Sequence, residues 1–148
     1  MQKSLLALAL ILIPALLLAE AEVPADHTAA IETRQATFKE MKGAVKDVKT
    51  AMKDKDFAAA EQAAGVIAND AQLLTTLFPQ DSYEGDTRAK KKIWENLEDF
   101  QARQQKLVKD ANALVTATQS NDPKALKEAF KTVGKNCKGC HMKYRQVF

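Results

Sequence analysis

The stretch PKALKEAFKTVGKNCKGCHMKYRQVF, residues 123–148, decides how the rest of the chain is read. Leu126, Phe130, Val133, Cys137, Cys140, Tyr144 and Val147 recur at steps of three and four, the spacing of one apolar helix face. Asn121-Asp122-Pro123 in front supplies a cap and a proline at the first helical position, a strong start signal. Both cysteines fall on the apolar seam, and His141 follows the second directly. Two cysteines three apart with a histidine next form the attachment signature of a c-type haem. Residues i and i+3 share a helix face, so both thiols can add to the vinyl groups of one porphyrin. His141, at i+4 from Cys137, brings its imidazole to the same porphyrin as an iron ligand.

Other chemistries use a Cys-x-x-Cys pair: a disulfide redox couple, half of a zinc site, or two packed thiols. A structural zinc site wants two more Cys or His ligands. The chain has no other cysteine and one other histidine, His27, in a polar stretch before the first helix. A thioredoxin-like motif belongs in a βαβ pattern, and no strand pattern is visible. Haem attachment is the preferred reading, on the motif and the missing zinc ligands.

Working outward, three more periodic segments precede this one. The first runs from about Thr28 to Lys53, with Ile31, Arg34, Phe38, Met41, Val45, Val48 and Met52 on its seam. Asp56 can cap the second, which carries Phe57, Ala60, Ala64, Ile67, Ala71, Leu74 and Phe78 and is stopped by Pro79. Residues 79–86 are a loop, and Asp86 or Thr87 is expected to cap the third helix. Its seam is Ile93, Leu97, Phe100, Gln104, Leu107, Ala111 and Leu114. Short connections between helices of similar length predict an all-α, antiparallel up-down-up-down four-helix bundle with the haem held on its core face. There is no repeat or low-complexity tract.

The N-terminus reads as an address. Lys3 is the positive region, Ser4 to Leu18 the apolar run, and Ala19-Glu20-Ala21 an A-x-A cleavage site. The run is shorter than the ~20 residues a membrane helix needs, and Pro14 interrupts it. Residues 1–21 are therefore expected to be a cleaved signal peptide, and residues 22–148 one exported domain, periplasmic in a bacterium, with no stable membrane anchoring. Net charge is +3, from 22 Lys and Arg against 19 Asp and Glu. Two haem propionates would bring it to about +1. With no large basic surplus, nucleic-acid binding is unsupported. Lys90, Lys91 and Lys92 form a solvated face or a docking patch for an acidic redox partner.

A charge on a core seam needs a reason, and Arg34 is such a residue. Either its stem packs at the end of the bundle while its head reaches water, or its guanidinium pairs with a haem propionate. With a haem already argued for, the second is preferred. Phe38 is one turn further on and would then lie near the iron's free face. A methionine there could ligate iron; phenylalanine cannot. Met41 is the other possible sixth ligand, though gap-filling in the core is its commoner role. Arg145, at i+4 from His141, would stack near the imidazole or the propionates, or simply complement the helix dipole.

These residues together resemble the cytochromes c-prime, class II c-type cytochromes. The resemblance spans the mature chain: Arg34-Gln35 with Phe38, Leu77-Phe78-Pro79, Ile93-Trp94 with Phe100, and Val133 through His141 followed by Tyr144-Arg145. It implies one covalent haem c, a homodimer built through the first two helices, and five-coordinate iron with an apolar side chain over its distal face. The matching blocker is Phe38, where low-spin relatives carry methionine. Arg34 and Gln35 match propionate-side contacts, Thr87 a haem-edge position, and Arg145 the basic residue near the proximal histidine. Met142 departs from a common aspartate, and Lys90-Lys91-Lys92 from a frequent proline and glutamate.

The expected function is binding of small diatomic gases, NO and CO, with electron transfer possible and no enzymatic role. The competing reading is a plain electron carrier with six-coordinate, low-spin iron. A peroxidase would need a distal acid or base, and the seam offers none near Phe38.

Overall fold

The computed structural model describes residues 27–146; the signal-like segment and Val147 lie outside them. α1 (Thr28–Asp54) ends where Lys55 takes the left-handed conformation, φ 58°. α2 (Phe57–Leu74) starts at Asp56, whose carboxylate accepts from the Ala59 amide at 2.9 Å, the cap expected of it. After a loop come a single helical turn, α3 (Lys92–Glu95), then α4 (Leu97–Gln119). α5 (Pro123–Tyr144) is capped by Asp122, which accepts from the Lys124 amide at 2.8 Å, with Pro123 in the first turn. Among the described residues there is no strand, only an isolated antiparallel bridge between Ala89 and Arg145.

α1, α2, α4 and α5 form the four-helix bundle, packed α1 on α2, α2 on α4 and α4 on α5. The seam between α1 and α5 is the most open. Val48, Ile67, Leu114 and Val133 are sealed in the core. The α2 side is built from Ala60, Ala63, Ala64, Ala68 and Ala71, small side chains that let the helices approach closely. A second cluster of Ala89, Ile93, Phe100 and Tyr144 closes the end of the bundle that carries the cysteine motif.

Three helix boundaries differ from expectation. α2 stops at Leu74, not Phe78, because the Thr75 and Thr76 hydroxyls donate to the carbonyls of Gln72 and Leu73, competing with further helix. Gln104, on the α4 seam, donates to the Leu74 carbonyl at 2.8 Å, which also accepts from the Leu77 amide at 3.4 Å. The third helix does not begin at residue 87 under an Asp86 or Thr87 cap. Asn96 (φ −139°) breaks it, and the separate turn α3 buries Ile93 and lets Trp94 donate to the Pro79 carbonyl at 2.9 Å. α5 ends at Tyr144, where the chain turns extended and pairs with residues 88–90: the Lys90 amide donates to Tyr144 O and the Gln146 amide to Arg88 O.

Asp70, on the α2 flank that meets α1, is 7 % exposed, and its Oδ2 has no hydrogen-bond partner. Burial, reinforced by Glu40 on α1, pushes its carboxyl up to about 6. The folded value lies above the unfolded one near 3.8. The linked stability is therefore complete below the unfolded value and is lost as pH rises through the folded one. Asp70→Asn should remove that loss, stabilising the protein at pH 8 by on the order of 2 kcal/mol and leaving it little changed at pH 4. Denaturation midpoints of both proteins across this range check it; a pH-independent difference would contradict it.

Candidate functional site

The last three turns of α5 carry the chemistry. Cys137 packs against the main core and Cys140 against the end cluster, so the seam position read from the spacing is where both residues lie. Both are half-buried free thiols. Burial pushes the Cys137 thiol up, and the Cys140 thiol to about 11. They are thus protonated, uncharged groups at neutral pH, facing the protein side of the helix. His141 is also half-buried; burial first, and the Arg145 charge second, lower its pKa and favour the neutral imidazole that ligates metals. Arg145 itself is exposed.

Across the α1–α5 seam, Phe38 faces His141, with ring centroids 6.1 Å apart and planes at 66°. Phe38 is 37 % exposed, so it is not an ordinary core aromatic. Met41 is 5 % exposed and belongs to the core cluster with Ala44 and Val48. Of the two candidate neighbours of the iron on α1, Phe38 is the one brought to the imidazole.

One turn before Phe38, Arg34 is 2 % exposed. This rules out a head group reaching water. Its Nη1 donates to Ser82 Oγ at 2.8 Å, and its Nη2 to Ser82 O and Thr87 Oγ1, both at 2.6 Å. The guanidinium also lies 4.9 Å from the centre of the Phe78 ring. Thr87 in turn accepts from the Ala89 amide, and Gln35 donates to Asp86 O at 2.5 Å. Arg34, Gln35 and Thr87 therefore meet, but through the loop, which they fasten to α1. No propionate is needed to explain the burial of Arg34, which has three N–H groups committed to this loop.

Two features had no part in the sequence reading. Ser82, fully buried, is the anchor of Arg34; nothing but its place in a turn-rich loop marks it. Asp99 on α4 accepts from Arg103 at 2.7 Å, Lys143 at 3.0 Å and the Tyr144 hydroxyl at 2.5 Å. Those donors hold its carboxyl well below the usual range. The Arg103 pair is an i,i+4 spacing visible in the sequence, whereas the tie to α5 requires the fold. Between them, the network and the bridge at Ala89 fix the end of α5 just after His141.

The residues present fit a haem c. Two protonated thiols at i and i+3 and a neutral imidazole beside them are the donor set such a group requires, and the apolar Phe38 ring stands opposite. Fold and donor set define a c-type haem protein built on a four-helix bundle. Residues 29–145 match the family described as cytochrome C'. The chain belongs to that family. It is 35% identical to cytochrome c-556 of Agrobacterium fabrum over 118 residues, covering 78% of this chain and 80% of the relative. The cytochrome c prime structure from Shewanella frigidimarina superposes with a TM-score of 0.78 at 34% identity, over 82% of this chain and 98% of that one. A nitric oxide complex of a mutant cytochrome c prime from Alcaligenes xylosoxidans matches with a TM-score of 0.75 at 26% identity, over 84% and 98%. No helix among the described residues is long and apolar enough to cross a membrane.

Proposed function

We propose that this protein is a periplasmic gas-binding cytochrome whose haem is joined to Cys137 and Cys140 and ligated by His141. The observation that carries the reading is Phe38, an apolar ring opposite His141 at 6.1 Å. When bound, the haem supplies an iron with one coordination position open to small ligands and a one-electron redox couple. His141 holds the proximal side. Phe38 crowds the other, offers no sixth ligand and no proton, and must swing aside for a ligand to enter. That movement slows association and favours small ligands. Without a distal donor, NO and CO are favoured over stable O₂ binding. The nitric oxide complex of the related cytochrome supports the choice of ligand. Arg145 keeps a positive charge beside the imidazole, and the Arg34, Gln35 and Thr87 cluster rigidifies the loop at the haem edge.

An apolar ring cannot act as acid or base, so the protein is read as a carrier or binder and not as an enzyme. The A-x-A site at Ala19 to Ala21 supports export, and membership of the family supports a homodimer through α1 and α2. Phe38→Ala tests the gating. NO and CO association with the reduced protein, followed by stopped flow, should quicken by at least tenfold, or about 1.4 kcal/mol of barrier. An unchanged rate would mean that Phe38 does not guard the iron.

A further inference from the structure

The lysines are not spread evenly around the bundle. On α1, Lys39, Lys42, Lys46, Lys49 and Lys53 step by three and four and form one stripe. On α5, Lys124, Lys127, Lys131, Lys135 and Lys138 form a second. All of them are exposed. At about 100° per residue, Lys42, Lys46 and Lys49 lie roughly 20–80° from Phe38, on the side away from α2. The other flank of α1 carries Glu40, which acts on Asp70 of α2. On α5, Lys127, Lys131 and Lys138 lie roughly 40–80° from His141 by the same rotation, on the side away from α4. The α4 side is marked by Asn136 and Lys143, which bond Asp110 and Asp99. Both stripes therefore flank a single seam, the open one between α1 and α5, and the Phe38 and His141 rings meet inside it.

With a net charge of only +3, such a face requires acid elsewhere. α2 has Glu61 and Asp70 and neither lysine nor arginine. On the basic face the acid in contact is Glu128, 3.8 Å from Lys131 in an exposed pair, which contributes little. Among the described residues no other ion pair engages these lysines. The loop end of this face is acidic, with Glu32, Glu84 and Asp86 around Gln35. The one-signed stretch therefore runs from Lys42 and Lys138 to Lys53 and Lys124, and a positive field there concentrates oppositely charged partners.

We propose that the α1–α5 face is the docking surface for an acidic redox protein, steered to the seam to deliver one electron. The proposal rests on the haem assignment above. With haem held by Cys137, Cys140 and His141, the reduced partner would lose one electron and the ferric iron would gain it, with no proton or group moved. A protein fits better than an anionic membrane. Among the described residues, Phe38 and Met142 are the large apolar side chains exposed on this face, too few for an inserting amphipathic surface. Lys90, Lys91 and Lys92 belong to the loop and α3, apart from both stripes.

Reduced flavodoxin, a small acidic one-electron donor, is a suitable probe for the ferric, haem-loaded protein. The second-order rate constant for reduction, measured across ionic strength, is compared for wild type, the face variant K42E/K49E/K131E/K138E and the loop variant K90E/K91E/K92E. We expect the face variant to lose at least roughly tenfold at low salt, with the gap closing at high salt, and the loop variant to stay within about twofold. A face variant within twofold of wild type, or no worse than the loop variant, overturns the proposal. Amide shifts on adding oxidised flavodoxin read docking independently of the iron and should cluster on α1 and α5; shifts elsewhere, or none, overturn it too. Sedimentation with phosphatidylglycerol vesicles in the absence of flavodoxin-induced shifts would make the face a lipid surface instead. A purified protein that carries no covalent haem overturns the haem assignment and the electron step with it, whereas shifts on α1 and α5 in that protein would still support the docking face.

Discussion

Phe38→Met should convert the iron from an open, high-spin site to a six-coordinate, low-spin one. A thioether one turn from Arg34 on α1 would stand where the ring now faces His141 and can ligate iron as phenylalanine cannot. The swap is close to volume-conserving at a position 37 % exposed, so stability should change by less than about 1.5 kcal/mol. The electronic change should be complete, visible as sharp, split low-spin bands in the reduced absorption spectrum, and CO should lose access. Met41→Leu is the control. Met41 lies in the core, and its replacement should leave the spectrum unaltered. A high-spin Phe38→Met protein would mean that residue 38 is not over the iron.

Arg34→Leu should cost on the order of 3 kcal/mol of stability, because it strands a buried hydroxyl and carbonyl of Ser82 and the Thr87 hydroxyl. Leucine also gives up the charged contact over Phe78. Arg34→Lys should recover only part of this, since one ammonium cannot reproduce the forked donors. Chemical denaturation gives the loss, and hydrogen exchange should place it in residues 79–91. A loss below about 0.5 kcal/mol, within the ordinary range for a surface change, would mean that the loop is held by something else.

The contrast between these two residues explains what was legible in the chain. Seam residues announce themselves, because a helix repeats its buried face every three to four positions; Val48, Ile67 and Val133 lie where periodicity puts them. The caps Asp56 and Asp122 are local chemistry and were equally visible. The helix ends at Leu74 and Asn96 were not. They depend on threonine hydroxyls turning back on their own backbone and on tertiary partners for Trp94 and Gln104. Arg34 was recognisable as an anomaly, but its partner Ser82 is 48 residues away in a loop without periodicity. The thiols and His141 carry their chemistry in their spacing. What opposes them across the seam comes from α1, far off in sequence, and its identity as Phe38 follows from packing and from the family pattern.

The most direct test of the account is the absorption spectrum of the purified, reduced protein before and after addition of CO or NO. We expect a broad, high-spin spectrum that changes on adding either gas, as it should where His141 is the one protein ligand and Phe38 yields to a small molecule. A sharp, split low-spin spectrum unmoved by CO would contradict that account and leave a six-coordinate electron carrier in its place.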